Sequence, residues 1–170
     1  MKRFTFGTPE KLVPSTYCKG FNYVETPVSY PESRFETRMT PRGFLIEFPI
    51  EDDAHIYGFG LQLKQFDQRG RKLRLAVNAD PTSANGDSHA PVPFFVTNKG
   101  YGMYFDTARY IEVYCGYKKH TGAVKADNGE SRVMTSTDEL YAVRESCGAV
   151  MSVLIPGAQG VDVYVFEGKK

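Results

Sequence analysis

The residues best suited to chemistry gather in one polar stretch, Asn78-Ala79-Asp80-Pro81-Thr82-Ser83-Ala84-Asn85-Gly86-Asp87-Ser88-His89-Ala90-Pro91-Val92-Pro93. Loops of this length inside a compact domain are uncommon and are often functional. Its carboxylates and amides suit hydrogen bonding to sugar hydroxyls. Asp80 and Asp87 have a plainer reading too, as Asx-turn residues that bond only nearby backbone. Asp87, Ser88 and His89 contain the residue types of a hydrolytic triad. Triad members meet in space and are rarely sequence neighbours, so His89 reads as a loop-orienting histidine.

Other chemistry is weaker. Paired carboxylates occur in Glu51-Asp52-Asp53 and Asp138-Glu139. A glycosidase needs two carboxyl groups at a fixed separation across a bond. Neighbours in a strand or polar loop point apart, so these read as solvated surface. His55 and His120 have no ligand-like spacing, so no metal site and no cofactor are expected. Gly58-Phe59-Gly60 and Gly100-Tyr101-Gly102 do not open a helix after a strand, so neither reads as a dinucleotide loop. The chain has 11 Tyr and 12 Phe but no Trp, which counts mildly against a stand-alone sugar-stacking module.

The elements that must carry the loop read as strands. Phe44, Ile46, Phe48 and Ile50 repeat with period two. Ile56 to Leu63 reads as a strand in which Gly58 and Gly60 mark a bulge or a close backbone approach. Asp67-Gln68-Arg69-Gly70 reads as a hairpin turn, with alternation returning at Leu73, Leu75 and Val77. Asn98-Lys99-Gly100 is a strong hairpin signal between Phe94 to Thr97 and Tyr101 to Phe105. Asp127-Asn128-Gly129 is another tight turn. Strands follow at Ser131 to Thr135, Glu139 to Glu145, Val150 to Ile155 and Val161 to Phe166. About a dozen short strands, with turn signals every ~8–12 residues, predict an all-β sandwich or barrel with little helix.

Bulk properties bound the rest. A chain of 170 residues is sized for one domain. Net charge is +1, from 21 basic and 20 acidic residues. That balance carries no electrostatic footprint for nucleic acid or a membrane surface. No run approaches the ~20 apolar residues of a membrane span. Three widely spaced cysteines, Cys18, Cys115 and Cys147, are not a disulfide framework and read as reduced thiols in a cytoplasmic protein.

Several motifs, taken in order, resemble the N-terminal domain of family 31 glycoside hydrolases, the α-glucosidases, α-xylosidases and their relatives. They are Tyr57-Gly58-Phe59-Gly60, Asn78-Ala79-Asp80, Pro93-Phe94-Phe95 and Gly100-Tyr101-Gly102. The segment Asp162-Val163-Tyr164-Val165-Phe166-Glu167-Gly168 is similar to the strand that leads into that family's catalytic barrel. Residues 1 to 50 match only as generic strands. Val77 stands where an aromatic is common, and Pro81 follows the Asn-x-Asp.

The resemblance implies a galactose-mutarotase-like β-sandwich of mostly antiparallel strands, spanning 1–170 as a single N-terminal domain. It implies a catalytic (β/α)8 barrel downstream, absent here together with its nucleophile and acid/base aspartates. The parent would be an α-glycoside hydrolase in carbohydrate metabolism, and this part would be non-catalytic. The Asn-x-Asp loop would reach over the barrel's active site and bind substrate, chiefly around the +1 side. Asp80 is the residue that carries over, with Asn78 as its supporting neighbour. The partners implied are the carbohydrate substrate and the barrel, with no nucleic acid and no membrane. An exposed barrel-facing apolar surface should also drive some self-association. Two alternatives stay open. One is an independent carbohydrate-binding module; the other is a mutarotase-like enzyme, which needs a histidine and a carboxylate converging in one cleft.

Overall fold

The computed structural model describes residues 1–11, 24–80, 85–120 and 146–168. Ten strands fall within them: β1 (Lys2–Thr8), β2 (Glu36–Thr40), β3 (Gly43–Pro49), β4 (Ile56–Gly58), β5 (Lys72–Leu75), β6 (Phe94–Thr97), β7 (Tyr101–Asp106), β8 (Ile111–His120), β9 (Ser146–Pro156) and β10 (Gln159–Glu167). The helix among the described residues is one 3-10 turn, Glu32–Arg34. The strands form two five-stranded sheets, ordered β1-β10-β7-β6-β4 (sheet 1) and β2-β3-β9-β8-β5 (sheet 2). Every pairing between them is antiparallel. The molecule is therefore an all-β sandwich.

Alternation builds the core. Phe44, Ile46 and Phe48 of β3 pair with Ile155, Val153 and Met151 of β9, and all six are buried. In sheet 1, Val163 and Val165 of β10 pair with Phe105 and Met103 of β7, and these four are fully buried. Phe48 joins the layers: its ring centroid lies 6.2 Å from that of Phe95 and 6.3 Å from that of Phe105. A residue shared by both sheets is costly to truncate, at about 3–5 kcal/mol for Phe to Ala.

The strand expected from Ile56 to Leu63 stops at Gly58. Gly58, Phe59 and Gly60 have φ of 122°, 63° and 79°, a run that cannot continue a pleated strand. The glycines are also close approaches. A Cβ on Gly58 would lie 2.7 Å from the Phe94 carbonyl oxygen, and one on Gly60 would lie 2.0 Å from that of Ala90. The Asp67–Gly70 turn is not a hairpin turn. It carries the chain from β4 at the edge of sheet 1 to β5 at the edge of sheet 2. The alternation read through Val77 ends at Leu75, and Val77 is 79% exposed.

The hairpin over Asn98-Lys99-Gly100 joins β6 to β7 as expected. The turn at Asp127-Asn128-Gly129 and the strands read at Ser131 to Thr135 and Glu139 to Glu145 lie outside the described residues. Cys115 is a buried free thiol, pushed up to about 12 by burial. No helix among the described residues is long and apolar enough to cross a membrane.

Candidate functional site

The polar loop leaves β5 at the edge of sheet 2 and is pinned at its base. The Asn78 amide donates to the Ser88 carbonyl at 2.9 Å, and the Ser88 amide donates to Ala76 at 3.2 Å. A parallel bridge between Val77 and Ser88 follows from this pairing. The far end of the loop is tied to sheet 1, where the Leu61 amide donates to the Ala90 carbonyl at 3.0 Å. Gln62 adds a polar tie, its Nε2 donating to the Phe59 and Gly86 carbonyls at 3.2 and 3.1 Å. The loop thus spans the gap between the two sheets at their β4 and β5 edges.

Within it, Asn78 and Asp80 are brought together. Asn78 Oδ1 accepts from the Asp80 amide at 3.0 Å, an Asx-turn. Asn78 is therefore the turn-former, and Asp80 is the residue the turn presents. Asp80 is exposed, and its carboxylate takes no partner among the described residues. It can accept hydrogen bonds from a polar ligand.

Asp87 is spent locally. Its Oδ2 accepts from Asn85 Nδ2 at 3.2 Å and lies 3.6 Å from Arg74 Nη1. Asn85 Oδ1 in turn accepts from the Asp87 amide at 3.0 Å, a second Asx-turn. The Arg74 amide donates to the Asn85 carbonyl at 2.6 Å. This clamp was not read from the sequence, although Asn85-Gly86-Asp87 marks the turn at its centre. Ser88 is buried and His89 is exposed, so no triad assembles from these neighbours.

The other carboxylates make structural bonds. Glu51 accepts from the Tyr101 hydroxyl at 3.1 Å, Asp52 from the Ala149 amide at 3.2 Å, and Asp53 from Lys99 Nζ at 2.6 Å. Asp138 and Glu139 lie outside the described residues. Spacing gave His55 no partner, yet its Nδ1 lies 2.6 Å from Asp67 Oδ2 across the crossover turn. Asp67 Oδ1 also accepts from the Ile56 and Arg69 amides at 3.1 and 3.0 Å, so this dyad holds backbone in place. Among the described residues no group of three or more His, Cys, Asp and Glu is placed to hold a metal ion.

Residues 7–113 match the glycosyl hydrolase 31 N-terminal galactose mutarotase-like domain. The chain belongs to that family. The match takes in the Gly58-Phe59-Gly60 turn, the Asn78–Asp80 loop and the β6–β7 hairpin, and it ends before β10.

The chain is also similar to parts of larger solved structures. A GH31 dextranase from Flavobacterium johnsoniae, complexed with glucose, is 17% identical with a TM-score of 0.52. That likeness covers 83% of this chain and 14% of the dextranase. A cycloalternan-forming enzyme from Listeria monocytogenes, in complex with a pentasaccharide substrate, is 23% identical over 75% of this chain and 10% of its own, with a TM-score of 0.47. A cycloalternan-degrading enzyme from Trueperella pyogenes, in complex with cycloalternan, is 18% identical over 74% of this chain and 15% of its own, with a TM-score of 0.47. The chain therefore spans a small part of the length of each. No curated protein matches it.

Proposed function

We propose that this chain is a non-catalytic domain of an α-glycoside hydrolase. It supports a family 31 catalytic barrel and lends it a substrate-contacting loop. The observation that carries this reading is the exposed Asp80 carboxylate, without a partner among the described residues and presented by the Asn78 Asx-turn within the family match. There it accepts hydrogen bonds from sugar hydroxyls beside the scissile bond, with Asn78 holding the turn. Hydrolysis itself needs two carboxylates flanking the bond, and in this reading both belong to the barrel. The buried thiol of Cys115 supports a reducing, cytoplasmic setting.

The test is an assay on p-nitrophenyl α-glycosides. The 170-residue chain should give no turnover, and joining it to its family 31 barrel should give activity. Mutation-sensitive turnover by the chain alone would overturn the non-catalytic reading.

A further inference from the structure

The outward face of sheet 2 holds a cavity that the loop does not use. Alternation should give this face solvated polar side chains. Instead Glu47 and Glu112 are buried there, at 3% and 9% exposure. Carboxylates out of water need charged or hydrogen-bonding partners, and these have them. Glu47 Oε2 accepts from Arg38 Nη1 at 3.1 Å, and its Oε1 accepts from the Tyr117 hydroxyl at 2.7 Å. Glu112 Oε1 accepts from Arg42 Nη2 at 2.6 Å. Both arginine side chains stay more than half exposed, at 56% and 60%, so each guanidinium keeps N–H donors at the surface.

The cavity beside them has a volume of 780 Å³, within the range of small-molecule sites, and Leu45 and Leu154 contribute apolar surface to it. Tyr114 and Tyr117 also line it, and a bulge is why both can. Tyr114 pairs with Ser152 and Tyr117 with Val150, so one extra residue lies between the pairs on β8. Two tyrosines three apart therefore share the outward face, with ring centroids 5.8 Å apart. Gly116 sits in the bulge at φ 71°.

The ligand class follows from charge and shape. The two lining arginines, Arg38 and Arg42, are each already paired with a glutamate, and Lys72 Nζ is occupied over the Tyr114 ring at 4.9 Å, so hydrogen-bond donors rather than an unmatched arginine charge face the cavity. Leucine and tyrosine surface suits the C–H face of a pyranose, and the arginine donors suit its hydroxyl edge. We infer that this cavity is a second saccharide site, taking a short neutral oligosaccharide on elements other than the Asp80 loop. The choice of a saccharide rests on the proposed function, whereas the cavity and its residues do not.

Titrating the isotope-labelled chain with maltotriose and with isomaltotriose, followed through backbone amide shifts, tests this. Saturable shifts are expected at Leu45, Tyr114, Tyr117 and Leu154, with a Kd on the order of 1 mM for at least one sugar. Arg42→Ala and Tyr114→Ala should each weaken binding about five-fold or more, and Asp80→Ala should leave it unchanged. If either alanine variant loses its dispersed spectrum, Arg42→Lys, which keeps a cation beside Glu112 but removes the guanidinium fork, decides in its place. No saturable shift with either sugar up to about 20 mM, shifts confined to the Asp80 loop, or binding untouched by Arg42→Ala would each overturn the inference. Failure of the proposed function would instead read out in turnover by the barrel-bearing protein and leave this titration unaltered.

Discussion

Asp87 and Asp80 are the same residue type in the same loop, yet their surroundings give them different work. The Asp87 side chain is 11% exposed beside Arg74, whereas Asp80 stands in solvent. Asp87→Ala should therefore cost about 0.5–1.5 kcal/mol in chemical denaturation: the bonds to Arg74 and Asn85 are lost, both of those groups stay solvated, and Oδ1, which takes no partner among the described residues, offsets part of the loss. Asp80→Ala should cost within about 0.5 kcal/mol. Ser88 gives a test of opposite sign. Its hydroxyl is buried without a hydrogen-bond partner among the described residues, so Ser88→Ala should be neutral or slightly stabilising by the same measurement. Part of this was legible in the sequence. The carboxylates and amides marked the loop, and local bonding was the plainer reading of Asp87. The role of Asn78 as turn-former emerges only with the backbone in place. The Arg74 clamp depends on β5 running past the loop's return, which no local pattern encodes.

At the scale of elements, the end of β4 is where local pattern and tertiary structure part. The glycine pair did announce a close backbone approach. It did not reveal that the strand ends after three residues, because that depends on positive φ at Phe59 as well as at both glycines. Nor could the Asp67–Gly70 turn be told from a hairpin turn, since crossing between sheets and turning within one use the same residues. Two glycines separate steric from conformational cost. Gly70→Ala meets nothing within 4 Å and should lose about 1–2 kcal/mol from its φ of 76° alone. Gly60→Ala also meets the Ala90 carbonyl and should lose clearly more, roughly 3 kcal/mol or above.

The crossover turn also has a pH signature. Burial pushes the Asp67 carboxyl up, but His55 and the Arg69 and Ile56 amides together hold it below its ordinary 3.8. A carboxylate depressed in the folded state contributes stability above its unfolded pKa and loses it as pH falls through the folded one. The advantage of the native chain over Asp67→Asn in thermal melts should therefore be full at neutral pH and vanish with acidification below about 3.8.

For the whole molecule, the outward face of sheet 1 is aromatic. Phe94 meets Phe166 edge-on at 5.8 Å, Tyr104 meets Tyr164 at 6.0 Å, and Tyr57 meets Phe66 at 4.8 Å. Val96 is 39% exposed and Phe66 is 80% exposed on or beside this face. We propose that this is the surface a barrel would cover, and that the isolated chain self-associates through it. Sedimentation should show mass rising with concentration, and Phe66→Glu with Val96→Lys should abolish the rise. A monomer at high concentration would count against it. The sandwich was legible because alternation and turn residues agree along most of the chain. The division of ten strands between two sheets was not, since order within a sheet is set by long-range pairing. We propose that Asp80 touches substrate without doing the chemistry. The direct test is steady-state kinetics on an α-glycoside by the protein that joins this domain to its family 31 barrel, with Asp80 intact and as Asp80→Ala. The expected result is a KM raised about ten-fold with kcat held within about two-fold. An unchanged KM, or a kcat reduced to background, would contradict it.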